Sequence, residues 1–297
     1  MEQEKHPALK FFIFFSLLLL GVSVSSVIIS ASLSNYSFSE LALNYAAHPF
    51  ELLASQAIIH LCVFVLVPII YITFIEKRSI HEYFGFNIPI KKSDILYALV
   101  LLFSIQAITA SAAEYSKLLP LGDYIHQMFL ENQNTNDAFT KAILDDTSFK
   151  MFALQIVTMG LLAGIGEEMV FRGIFQRLFH QWSKNIHFSV LFSAILFAVF
   201  HGMIYNIFGI VIIGILFGYI YYLTGNLWIT IGLHILNNTA IVVISYLNAK
   251  GFIHFDISET NLFNGIEISI SILITIFAMQ RIYKNSKVGT RNFKISD

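Results

Sequence analysis

The chain has 297 residues, 56% of them hydrophobic and only 12% charged, with a formal net charge of -1. A soluble domain carries about 25% charged residues, so this chain lacks the polar surface to cover a globule in water, and a bilayer is its natural solvent. The near-zero charge argues against nucleic acid as a partner, because phosphate binding needs a basic surface. A single cysteine, Cys62, excludes an internal disulfide and any Cys-based zinc cluster. It sits in an apolar run and reads as a small packed hydrophobe.

A helical span needs about 20 mostly apolar residues. In chain order the candidates are Phe11–Ala31, Leu52–Phe74, Ile95–Ala113, Met151–Phe171, Phe188–Tyr205, Ile207–Leu223, Leu227–Leu247 and Ile266–Met279. The fold class expected is therefore all-α, a polytopic membrane bundle of about eight transmembrane helices. The first run has a basic start but no clear small-x-small cleavage site, so it reads as a retained span. The fourth is expected to continue as one helix to about Trp182, because Gly173 alone costs a helix only about 1 kcal/mol. Three segments follow along the chain: N-terminal spans and loops over 1–145, a core over 146–250, and a last span with a basic tail over 251–297.

Two connections stand out. Residues 114–150 contain DYIHQMF and DAFTKAIL, expected as short amphipathic helices on the outer surface. Residues 76–93, basic at both ends and aromatic in the middle, read as an inner loop lying on the headgroups. Cytoplasmic ends are rich in Lys and Arg. With the N-terminus inside, 14 of the 18 basic residues fall on the inner side and four, Lys117, Lys141, Lys150 and Lys250, on the outer. Both termini are thus expected in the cytoplasm, and the compact chain suits a bacterial inner membrane.

Residues 164–173, GIGEEMVFRG, place Glu167, Glu168 and Arg172 inside an apolar span. Each ionised group at mid-bilayer costs about 2.5–3.5 kcal/mol, so these groups must pair or meet water. At about 100° per residue, Glu168 and Arg172 differ by only about 40° and can pair along one helix face. Glu167 points about 140° away from Arg172 and is left for another role. His201 ends FAVFH on the fifth span, and HILNN carries His234 and Asn238 on the seventh. At about 1.5 Å per residue, Glu167 and His201 lie about 20 Å deep, and His234 and Asn238 about 10–17 Å deep. Three spans can thus bring a carboxylate, two imidazoles and an amide into one intramembrane cavity. His60 in the second span reads as a helix-to-helix hydrogen bond.

The ordered trio E-E-x-x-x-R, F-x-x-x-H and H-x-x-x-N resembles the intramembrane proteases of the CAAX prenyl endopeptidase type II and bacteriocin-processing (CPBP, Abi) family, over about residues 150–245. The resemblance implies an intramembrane endopeptidase. It makes Glu167 the general base and His201 its partner in holding water. His234 and Asn238 would stabilise the oxyanion, with Glu168 and Arg172 supporting the site. Such an enzyme takes a peptide or lipidated protein substrate at the membrane lipid, and no nucleic acid. The alternative within the resemblance is a non-catalytic scaffold or bacteriocin-immunity protein. No cofactor is certain. A divalent metal such as zinc is possible, since Glu plus two His is a zinc set, yet no HExxH motif occurs, and a metal-free glutamate mechanism is the expectation.

Overall fold

A computed structural model describes residues 6–32, 48–254 and 265–286 of the chain. Lys5, Lys287, Arg291 and Lys294, which entered the orientation count, lie outside the described residues. Regular structure among the described residues is helical: α1 (Pro7–Ser32), α2 (Pro49–Glu76), α3 (Ile80–Tyr83), α4 (Lys92–Ser116), α5 (Asp123–Leu144), α6 (Phe149–Ser183), α7 (Ile186–His201), α8 (Ile207–Thr224), α9 (Leu227–Ala249) and α10 (Gly265–Asn285). Seven of these, all but α3, α5 and α7, are long and apolar enough to cross a bilayer, α8 together with the turn Ile204–Asn206 before it. The protein is an integral membrane protein built as an all-α bundle.

The remaining apolar helix, α7, has 16 residues, about 24 Å at 1.5 Å per residue. Sequence alone carried this span to Tyr205. It stops at His201 because Gly202 takes a left-handed conformation (φ 64°) and turns its N–H back to the carbonyl of Val199. The start is set by Asn185, whose side chain accepts from the N–H groups of His187 and Phe188.

The chain divides into two compact units, each made of separated segments. The first comprises Met1–Ile80, Thr135–Val170 and His234–Phe255. Here Gly21 of α1 lets the backbone of α2 approach, since a β-carbon would stand 2.9 Å from Val67 Cγ2. Phe14 meets Tyr71 edge-on at 5.0 Å. Below them Lys10 Nζ donates to Glu76 Oε2 at 2.9 Å, and the Tyr71 hydroxyl donates to Oε1 at 2.8 Å. A buried ion pair needs such additional hydrogen bonds to offset its desolvation. A smaller cluster of Leu53, Ile143 and Met151 closes the other end.

Within α2 the turns widen over His60–Leu66 and again over Tyr71–Glu76. Between them stands Pro68, which has no N–H for the carbonyl four residues back and whose ring crowds it. The widened turn relieves that crowding: the N–H of Val67 reaches five residues back to Cys62.

The second unit comprises His81–Asn134, Phe171–Leu233 and Asp256–Asp297. Its core packs Ala98 and Leu101 of α4, Phe217 and Ile220 of α8, and Ala278 and Ile282 of α10. The inner connection departs from expectation. Its aromatic middle does not lie out on headgroups: Tyr83 and Phe84 are buried. The Phe84 carbonyl accepts from Leu227 N at 3.1 Å, and Ile88 O accepts from Asn226 Nδ2 at 2.7 Å. Gly85 is required twice over, by its positive φ (72°) and because a β-carbon would meet Gly225 O at 1.9 Å. The outer connection also differs. Its two amphipathic stretches form one continuous helix, α5, because Leu130–Asn136 between them contain neither Gly nor Pro to stop it. Tyr205 anchors this helix, its hydroxyl 2.6 Å from His126 Nδ1.

Candidate active site

Three helices of the first unit meet around Glu167. Glycines set their spacing. A β-carbon on Gly160 would stand 2.6 Å from Thr239 Oγ1, and one on Gly164 would stand 2.7 Å from Ile235 Cγ1 and 3.0 Å from Ile235 N, both on α9. One on Gly166 would stand 2.6 Å from Phe64 Cβ of α2. So α6 is in near backbone contact with α9 on one side and with α2 on the other. The two glutamates project from the part of α6 that these contacts clamp.

Glu168 is fully buried, and its Oε1 lies 2.9 Å from His234 Nδ1. That is the separation of a charge-assisted hydrogen bond, with the ring N–H donating to the carboxylate. The ring's other nitrogen, Nε2, faces Glu167 Oε2 at 3.7 Å. On the opposite side His60 Nε2 faces Glu167 Oε1 at 3.4 Å. Glu167 thus has one imidazole at each oxygen, and its side chain is 13% exposed. Four residues beyond His234, the Asn238 amide donates from Nδ2 to Met159 O at 3.0 Å. That carbonyl lies in a widened turn of α6, Ile156–Leu162. Ala163, which would donate to Met159 O in a regular α-helix, bonds instead to Gly160 O and Thr158 O. Asn237 donates to Asn238 Oδ1 at 3.4 Å, so the amide is oriented from both ends.

The structure therefore brings Glu167, Glu168 and His234 together, with Asn238 one turn away on α9. Arg172 and His201 belong to the second unit. The Arg172 guanidinium is buried between the rings of Phe197 (4.3 Å) and Phe217 (5.4 Å) and donates to Gly214 O at 3.4 Å. His201 turns its ring back along α7, with Nδ1 2.8 Å from Phe197 O. A carbonyl only accepts, so the ring hydrogen sits on Nδ1 and Nε2 points away from the helix. His60 makes the helix-to-helix contact that its sequence position suggested, but that its partner is Glu167 was not foreseen. Its signal was there, a histidine inside an apolar span, but nothing along one helix says which neighbour it faces. Among the described residues, no group of three or more His, Cys, Asp and Glu side chains is disposed to hold a metal ion.

Comparison with known proteins bears on this segment. Residues 149–240 match the family model for Rce1-like type II CAAX prenyl endopeptidases. The Rce1-like segment contains all six residues singled out by the motifs and leaves His60 outside. A curated relative, the "Putative membrane peptidase YdiL" of Bacillus subtilis (strain 168), is 25% identical over 143 residues, which is 48% of this chain. The chain spans about half the length of that relative, 55% of it being covered. No solved structure matches. Over residues 149–240 the chain is thus similar to Rce1-like type II CAAX prenyl endopeptidases, and over about half its length to a putative membrane peptidase.

Proposed function

We propose that the chain is an intramembrane endopeptidase that hydrolyses a peptide bond of a membrane-associated peptide or protein, with Glu167 as the base that activates water. The observation that carries this reading is Glu167 held between two imidazoles, with Oε2 and His234 Nε2 3.7 Å apart. That gap is too wide for a direct hydrogen bond, and a water held by both at about 2.8 Å would span it. As the water oxygen attacks the scissile carbonyl carbon, its proton passes to Glu167 and the carbonyl electrons move onto oxygen. When the oxyanion collapses and reforms C=O, the C–N bond breaks and the leaving nitrogen takes the proton from Glu167. The atoms balance as one water added across one amide.

His234 and Asn238 are the proposed oxyanion donors. Glu168 suits the first role: a carboxylate on Nδ1 balances the ring when both nitrogens carry hydrogen, the state in which Nε2 donates. One oxyanion donor is worth about 10²–10³ in kcat. For His201 the proposal, carried by the motif resemblance, is that it also holds the attacking water.

The test is cleavage in proteoliposomes, using as substrate a precursor that accumulates in cells carrying Glu167→Gln. Glu167→Gln removes the base and is expected to lower kcat by at least about 10²-fold with the fold intact, and His201→Ala is expected to do the same. Wild-type turnover in Glu167→Gln would refute the assignment. Protection of a bound partner that survives Glu167→Gln, with no cleavage by the wild type, would favour the scaffold or immunity alternative.

A further inference from the structure

We infer that His60, on α2 and outside the Rce1-like segment, is a positioning residue for this reaction: it ties Oε1 of Glu167 and so fixes Oε2 as the oxygen that takes the proton. The inference rests on the protease reading above.

His60 is itself held on three sides. Its Nδ1 lies 2.8 Å from the carbonyl of Gln56, four residues back on the same helix. The carbonyl accepts, so the ring hydrogen is on Nδ1 and Nε2 is the nitrogen turned toward Glu167 Oε1, at 3.4 Å. The ring stacks on Phe64 at 5.4 Å with 29° between planes. Phe64 in turn abuts Gly166, where a β-carbon would meet Phe64 Cβ at 2.6 Å and Phe64 C at 3.2 Å. The residue after Gly166 is Glu167. Backbone contact between α2 and α6 therefore places the imidazole, rather than the flexing of two long side chains.

The chemistry of the pair follows. A bare Nε2 opposite an ionised carboxylate oxygen sets two acceptors against each other. At this separation the pair is attractive only with the proton carried on His60 Nε2 facing the ionised carboxylate, which makes the contact a long ion pair. The last torsion of a glutamate is otherwise soft and nearly two-fold, so an untied carboxylate presents either oxygen to a bound water. Tied at Oε1, it presents Oε2 on the side of His234. That is the gain a supporting residue gives to a site whose geometry must hold to about 0.5 Å.

The experiment compares His60→Leu, which keeps apolar bulk, with His60→Gln, whose amide N–H can stand where Nε2 stands. Cleavage is measured in proteoliposomes, with thermal unfolding in parallel. His60→Leu is expected to lower kcat by about 10–100-fold, the worth of one polar contact to a charged group, with KM changed less than about twofold, since uniform substrate binding is untouched. His60→Gln is expected to recover most of that kcat. Wild-type kcat in His60→Leu, or a kcat in folded His60→Gln as low as in His60→Leu, would overturn the inference. A second readout needs no turnover: the infrared carboxyl band of Glu167, isolated by subtracting the Glu167→Gln spectrum, is expected to move in His60→Leu. An unmoved band in that folded variant overturns the inference as well. If the wild type cleaves nothing, the protease reading fails, and the infrared comparison still decides whether His60 holds Glu167.

Discussion

Gly164→Ala adds one methyl group at the closest approach of α6 and α9. The added carbon would stand 2.7 Å from Ile235 Cγ1, 3.0 Å from Ile235 N and 3.3 Å from Ile235 Cα. Ordinary carbon contacts sit at about 3.5–4.0 Å, so α9 must withdraw by about 0.5–1 Å. Ile235 is bonded to His234, whose Nδ1 lies 2.9 Å from Glu168 Oε1. A shift of that size along the contact lengthens it to about 3.4–3.9 Å, well beyond the roughly 2.7–2.9 Å of a charge-assisted hydrogen bond. Overpacking of this kind costs about 1–3 kcal/mol, and the opened contact removes the support of His234 as well. Thermal unfolding in detergent and cleavage in proteoliposomes should both fall. Gly232→Ala on the same helix is the control, since nothing lies within 4 Å of its would-be β-carbon. There the helix gains about 1 kcal/mol from alanine over glycine, and activity should hold. Wild-type melting and turnover in Gly164→Ala would refute the claim that this glycine sets the distance between Glu168 and His234.

Three further outcomes are expected. Stringent chelation, with bound zinc quantified, should leave turnover unchanged, and loss of turnover that zinc restores would establish a metal enzyme. Asn226→Ala should destabilise the protein by about 1–3 kcal/mol, because the side chain both accepts from Trp228 N at 2.8 Å and donates to Ile88 O at 2.7 Å; unchanged unfolding would count against that bridge. Arg172→Lys should lower the melting temperature despite keeping the charge, since it removes the guanidinium that lies over the Phe197 and Phe217 rings, and an unaltered melting temperature would show these contacts to be inert.

Much of this architecture was legible in the sequence because membrane spans announce themselves by length and apolarity, a signal that needs no tertiary information. The spacing of four between His234 and Asn238 correctly put both on one stretch of α9. Tertiary partners were another matter. The contact of Glu168 with His234 Nδ1 joins residues 66 positions apart and has no trace in local periodicity. The partner of His60 escaped for the same reason. The inner connection misled because Tyr83 and Phe84 have the composition of an interfacial anchor, and only the approach of Gly85 to Gly225 shows the chain turning inward. Early termination of α7 was readable in principle from Gly202, but a glycine inside an apolar run is as compatible with continuation as with a stop.

The widened turns of α2 and α6 change how this chain must be compared with others. Each such turn amounts to one residue inserted into an otherwise regular α-helix, and one residue rotates everything after it by about 100°. A homologue lacking the insertion before Pro68 would match this chain only across a one-residue gap. An ungapped alignment there would turn every residue after the insertion by about 100° onto a different helix face.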